Sequence, residues 1–234
     1  ALKMNASRSY RQPSLNDLYW NPGGNPDLKP EDSYEGDGSI EYKLKRKKIS
    51  LIIEGTYFNR HTTNWIIWLP TDKGYWSPRN IAEVYSRGTE TKSELTYTHK
   101  NLIVKLSTST SYVLSTNQKT TNENDRSEGR QLIYTPRYNG NATLIFAYKG
   151  ISLLFNQNYT GYRFTSTDNT SWLYPYYIAN MKLSYKSSFK NMSIELFGNI
   201  NNLFNKNYMV VANRPMTLRN YEVGINLQYH KNKK

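Results

Sequence analysis

Hydrophobic and polar residues alternate along most of this chain. Between Asn220 and Tyr229, the residues Tyr221, Val223, Ile225, Leu227 and Tyr229 interleave with Asn220, Glu222, Gly224, Asn226 and Gln228, which gives one strand an apolar face and a polar face. The period of two recurs. It runs through Tyr34, Ile40, Tyr42 and Leu44, through Ile49, Leu51, Ile53, Gly55 and Tyr57, and through Val104, Leu106, Thr108 and Thr110. Further on it passes through Ala142, Leu144, Phe146 and Tyr148, then Ile151, Leu153, Phe155 and Tyr159. Tyr177, Ala179, Met181, Leu183 and Tyr185 follow, and then Met192, Ile194, Leu196, Gly198 and Ile200. With strand-like residues from Ala1 to Ser9 and from Glu83 to Thr98, the pattern predicts about ten strands.

Turn chemistry places the breaks between them. Ser9 to Glu31, crowded with Pro13, Pro22, Gly23, Gly24, Pro26 and Pro30, reads as a long loop, as do Trp65 to Asn80, Ser115 to Arg130, Tyr162 to Trp172 and Leu203 to Thr217. The other connections are short: Lys45 to Lys48, His99 to Asn101, Lys149 with Gly150, and Ser187 with Ser188. Long and short alternate strictly. Transmembrane barrels pair long outer loops with short periplasmic turns, whereas a soluble sandwich has no reason to collect its long loops at one end. Closure of a barrel also removes the open edges that a row of hairpins exposes.

Composition narrows the choice. No run approaches the roughly 20 apolar residues of a membrane helix, and mean hydropathy is -0.77, so a helical membrane protein is excluded while a barrel is not. The net charge of +13 raises nucleic acid as a partner, but the basic clusters Lys45 to Lys48, His99 with Lys100, Lys149, Lys186 with Lys190, and Lys231, Lys233 and Lys234 sit at strand ends. They form no helix face or groove, so no nucleic acid is expected. Cysteine is absent, and His61, His99 and His230 lie far apart, leaving no thiolate or histidine metal site and no cofactor to expect. Asp72, Glu123, Asp125 and Glu128 fall in loops without a nucleophile beside them. Since Ala1 stands in what reads as mid-strand, the chain is expected to be a piece of something longer.

Three stretches carry a family resemblance. SYRQPSLNDLYW with GNPDLKPEDSYEGDGSIEY (Ser9 to Trp20 and Gly24 to Tyr42), EVYSRGTETKSELTY (Glu83 to Tyr97) and NINNLFNKNYMVVANRPMTLRNYEVGINLQY (Asn199 to Tyr229) resemble the C-terminal part of a TonB-dependent outer-membrane receptor. The first stretch is most similar to the cobalamin-transporter branch, and related loops occur in siderophore and haem receptors. The resemblance implies an all-β, antiparallel transmembrane barrel segment, part of a 22-stranded barrel whose plug domain and first strands lie outside residues 1–234. It also implies a multi-pass location in the outer membrane, import of a scarce nutrient, and partners in the rest of the barrel, the plug, the TonB complex, outer-membrane lipid and a surface lipoprotein lid.

Candidate binding residues follow from the loops. Trp20, Trp76 and Trp172, with Tyr75, could pack on a large planar ligand while Arg79, Arg163 or Arg214 donates to its anionic groups. Most of Trp65, Trp68, Tyr75, Trp76, Tyr162, Trp172 and Tyr174, near the long-loop ends, are otherwise expected in the interfacial girdle. Arg87, next to a bend-permitting Gly88, and Glu222 are expected to face the lumen and the plug. In NPDLKPE, Asn25 to Glu31, the prolines fix a loop entering the next strand. An alternative of another class is a complete ten-stranded omptin-like protease using His61, Asp125 and Glu128; a surface lipoprotein or adhesin of soluble β type is a third.

Overall fold

Alternation fixes the elements that form. The structure, a computed structural model, describes residues 1–119 and 125–229; Glu123, His230 and the terminal Lys231, Lys233 and Lys234 lie outside the described residues. In chain order the elements are β1 (Leu2–Arg11), α1 (Leu15–Tyr19), β2 (Glu31–Arg46), β3 (Ile49–Pro70), β4 (Trp76–His99), β5 (Leu102–Lys119), β6 (Tyr138–Tyr148) and β7 (Ile151–Thr160). There follow β8 (Arg163–Phe164), β9 (Trp172–Leu173), β10 (Tyr176–Phe189), β11 (Met192–Asn201), β12 (Met209–Val211), β13 (Arg214–Pro215) and β14 (Asn220–Tyr229). One antiparallel sheet of 10 strands runs β1-β2-β3-β4-β5-β6-β7-β10-β11-β14, and two small hairpins, β8-β9 and β12-β13, stand apart from it.

Register turns the alternation into two continuous faces. Ile53 lies opposite Tyr42 and Ser93, Leu106 opposite Leu95 and Leu144, Leu153 opposite Phe146 and Leu183, and Leu196 opposite Tyr185 and Ile225. These side chains are largely uncovered, as a lipid-facing row must be. Tyrosines bound the row at both ends. Tyr57, Tyr112, Tyr138, Tyr159, Tyr177 and Tyr221 end it toward the long loops, with Tyr112 on Tyr138 and Tyr159 on Tyr177 at ring separations of 4.7 Å. Tyr42, Tyr97, Tyr148, Tyr185 and Tyr229 end it toward the short turns. From Tyr177 to Tyr185, at about 3.3 Å per residue, is roughly 27 Å of strand, which after tilting approaches the apolar band of about 25 Å expected of such a wall. The girdle thus falls on strand tyrosines, while Trp68 and Trp76, expected in it, stand far above.

The opposite face is polar. On β1 to β5, Lys3 reaches Glu54 at 3.1 Å, Lys43 reaches Glu41 at 2.9 Å, Arg60 pairs with Glu35 and Lys105 with Glu94 at 2.7 Å. Farther along the sheet amides join the ion pairs: Asn141 donates to Asn158 at 2.6 Å, Asn199 donates to the Glu222 carboxylate at 3.0 Å, and Lys182 lies 3.5 Å from Glu195. Glu222 therefore lies on this polar face. Arg87 does not: opposite Asn59 and Leu114, it shares the parity of Leu95 and Tyr97, and its guanidinium lies 4.9 Å over the Tyr85 ring at the rim of the apolar row. Gly88 is the inward residue, and a Cβ there would come within 2.2 Å of the Tyr112 carbonyl oxygen, so close strand approach demands glycine.

Three expectations about connections are corrected. Trp65 to Asn80 is no loop, because β3 and β4, of 22 and 24 residues, continue past the membrane level to a turn at residues 71–75. From Tyr57 to Pro70 is roughly 40 Å of strand. Ser187 and Ser188 stay in β10, and the turn falls at Lys190 and Asn191, where Lys190 takes φ 48°. Finally, β1 and β14 are the two ends of the sheet, not neighbours, so a closed ten-stranded barrel of omptin type is ruled out. Ile225 is central in the apolar row of β14, and Ile225→Lys should destabilise the inserted barrel by about 2 to 4 kcal/mol, measured as a lower denaturant midpoint for folding into lipid vesicles.

Candidate ligand-binding site

Above the sheet, the first long loop is organised by one carboxylate. Ser14 caps α1 and Asp17 closes a capping box with it: the Ser14 N–H and hydroxyl donate to Asp17 at 2.9 and 2.8 Å, and Ser14 Oγ accepts from the Asp17 N–H at 3.1 Å. The other Asp17 oxygen accepts from Trp68 Nε1 at 2.9 Å, and Arg11 lies 3.6 Å away. A helix of five residues is thereby tied to the projecting hairpin. Burial pushes the Asp17 carboxyl up, but the Ser14 and Trp68 donors and the Arg11 charge outweigh it and hold the group below its ordinary value.

The rest of the loop is laid along the hairpin. Asn25 Nδ2 donates to the Pro78 carbonyl at 3.2 Å, the Lys29 N–H donates to Asn80 at 2.8 Å, and Glu31 accepts from the Ile66 N–H at 2.8 Å. The segment from Asn25 to Glu31 is thus held by its backbone and amides. Gly23, at φ 119°, packs where a Cβ would lie 2.2 Å from the Trp76 carbonyl oxygen.

A cleft of about 780 Å³ opens between these parts, walled by Trp20, Trp68, Tyr75, Trp76, Tyr134 and Arg214, with Ser14, Asn16 and Asp17 at its polar edge. Trp76 and Tyr134 face each other at 6.0 Å between ring centroids. Four of the seven candidate binding residues, Trp20, Tyr75, Trp76 and Arg214, meet here. Arg79 is exposed on β4 opposite Ile67, and Trp172, 47% exposed, sits opposite Phe164 in the β8-β9 hairpin; neither lines the cleft.

Arg163 is buried at 3% exposure and points into the loops instead. It donates to the carbonyls of Met209 at 3.1 Å, Val210 at 3.4 Å and Tyr174 at 3.1 Å, and lies 4.7 Å over the Tyr176 ring. Burial lowers its pKa, with Tyr176 and Tyr134 opposing. It clamps the two loops that bear β8-β9 and β12-β13. A second tie is reciprocal: the Gln131 N–H donates to Asn169 Oδ1, and Asn169 Nδ2 donates to the Gln131 carbonyl, both at 2.9 Å. Together they fix Tyr134 and the β12-β13 hairpin, the far wall of the cleft.

His61 meets Glu83 at 3.5 Å on the outer parity of β3, apart from Asp125, which caps the Ser127 N–H. Among the described residues no three His, Asp or Glu side chains gather. Sequence reasoning missed Asp17, Tyr134 and the cleft role of Trp68. The capping-box spacing of Ser14 and Asp17 before Leu18 was the available signal for the first.

Residues 1–203 match the family described as TonB dependent receptor-like, beta-barrel. The chain belongs to this family. It is a strand-built segment of an outer-membrane TonB-dependent receptor barrel, its polar face the lumen and its apolar row the lipid face. The vitamin B12 transporter BtuB of Photobacterium profundum is 27% identical over 223 residues, covering 93% of this chain and 33% of the relative. That of Vibrio vulnificus is 26% identical over 200 residues, 85% of this chain and 29% of the relative. The chain thus spans about a third of the length of the curated relatives it matches. Among solved structures, the copper transporter OprC superposes with a TM-score of 0.70 at 14% identity over 98% of this chain and 37% of that one. The ferric enterobactin receptor of Pseudomonas aeruginosa gives 0.66 at 23% identity over 97% and 38%.

Asp17→Ala opens the capping box, taking away the acceptor of the Ser14 N–H and hydroxyl, and leaves the Trp68 indole N–H without its partner, an expected loss of about 1 to 3 kcal/mol of loop stability, read as a change in tryptophan fluorescence at unchanged strand content. A carboxyl held below its unfolded value stabilises above that value and ceases to as pH falls through the folded one. In the parent protein the same fluorescence change is therefore expected only on acidification below the ordinary carboxylate range, about pH 3.9.

Proposed function

We propose that this chain supplies the barrel wall and outer loops of a receptor that imports cobalamin across the outer membrane. Residues 1–234 serve as barrel, with the plug domain outside them. The observation that carries the reading is the cleft: three indoles and two phenols surround a space edged by Ser14, Asn16 and Asp17, with Arg214 its one lining cation among the described residues. Aromatic faces suit a broad macrocycle, and hydroxyl and amide groups suit a periphery of neutral amides. A multiply anionic ferric siderophore or a haem bearing two carboxylates would call for several cations at the rim. The two vitamin B12 transporter relatives support the same choice.

The role is non-enzymatic. Loops and plug together give specificity, because a barrel lumen alone would be a wide pore. Energy comes from the TonB complex acting on the plug, and a surface lipoprotein lid is a further partner of the outer rim.

Outer membranes carrying the full-length receptor should retain labelled cyanocobalamin, and Trp76→Ala should weaken retention about 30-fold or more, the loss typical of a central aromatic anchor. Retention of a labelled ferric siderophore but not of cyanocobalamin would replace this ligand with the other. Uptake that is non-saturable and independent of TonB would sink the transport reading.

A further inference from the structure

The short turns present a second surface. Four two-residue connections, at residues 47–48, 100–101, 149–150 and 190–191, join the strand pairs at the periplasmic edge, and each carries lysine: Lys47 with Lys48, Lys100, Lys149 and Lys190. All five lysines are exposed, and among the described residues none forms an ion pair. No Asp or Glu stands in or beside these turns. On the polar face Lys3, Lys43, Arg60, Lys105 and Lys182 each meet a carboxylate; the turn lysines do not.

Two details give the lysines a direction. Lys149 Nζ lies 5.3 Å over the Tyr148 ring and Lys190 Nζ 5.4 Å over the Phe189 ring. Tyr148 and Phe189 belong to the apolar row, opposite Ile151 and Met192. The Lys149 and Lys190 ammonium groups are therefore held on the lipid side of the rim, one ring beyond the apolar row. Backbone geometry adds a separate observation. Lys100, Lys149 and Lys190 take φ values of 52°, 45° and 48°, a left-handed conformation that favours asparagine or glycine. Turn formation alone would not choose lysine there.

We infer that this rim is a binding surface for anionic phospholipid headgroups of the periplasmic leaflet, with Lys100, Lys149 and Lys190 as phosphate donors and Lys47 and Lys48 extending the row. A lysine ammonium near such a surface strengthens attraction about five-fold, and screening by salt limits it to the headgroup layer. The inference is independent of which nutrient the receptor carries.

The test uses the full-length receptor reconstituted in nanodiscs of mixed phosphatidylglycerol and phosphatidylcholine, with retained lipid counted by native mass spectrometry. Phosphatidylglycerol should be retained over phosphatidylcholine by about five-fold or more, less so as salt rises. The triple variant Lys100→Asn, Lys149→Asn, Lys190→Asn keeps a residue that tolerates the turn conformation. It should fold as well as the parent and retain cobalamin equally while losing most of the lipid preference. Equal retention of both lipids by the parent, or an unchanged preference in the triple variant, overturns the inference. So does a triple variant that loses uptake although the parent shows no lipid preference, which would give the rim to a periplasmic protein. A receptor that holds the lipid preference but binds no cobalamin leaves this surface standing and removes the ligand reading alone.

Discussion

A peptide group surrounded by acyl chains has no water to turn to, and each N–H or C=O left unpaired there costs several kcal/mol. That constraint shapes this wall more than any side-chain contact. It requires every membrane-level residue to lie between two neighbours in a ladder, and it makes strand registers such as Leu106 with Leu95 and Leu144 unavoidable once the parity is set. It also explains where a conventional core is found. The described hydrophobic residues that are buried, Leu28, Ile66, Val84, Leu132, Ile133 and Ala179, lie mainly in the layer of loops and the projecting hairpin, where water is present and burial has a driving force. The same constraint leaves β1 and β14 with one unpaired edge each, so the sheet needs further strands on both sides to be stable in lipid.

Strand faces and the strand count were legible because a period of two is a local property of the chain. The projecting hairpin was not, because Pro70, Gly74 and Pro78 read as breakers. Pro78 is tolerated inside β4 for a reason no local pattern contains. Among the described residues the β4-β5 ladder begins only at Glu83, so at Pro78 the strand has a ladder partner on the β3 side alone and can omit an N–H. Arg87 was assigned inward beside a glycine that does face inward; one position of parity separates the lumen from the lipid rim.

The site was half legible for a similar reason. Aromatic residues in loops announce themselves, so Trp20, Tyr75, Trp76 and Arg214 could be named singly. What unites them is the packing of residues near position 17, position 68, position 134 and position 211, far apart in the chain. Arg163 shows the converse: a cation in a loop reads as a ligand donor, yet buried carbonyls from three residues compete for it and it becomes part of the frame.

The hairpin of β3 and β4 has a consequence for how this wall meets its surroundings. Above the tyrosine girdle it continues the same ladder, so its outermost residues, Asp72, Lys73 and Gly74, are carried well clear of the bilayer on a hydrogen-bonded stalk and are exposed on every side. Between Asp72 and Lys73 a foreign peptide would be displayed at the cell surface without breaking a single rung beneath it.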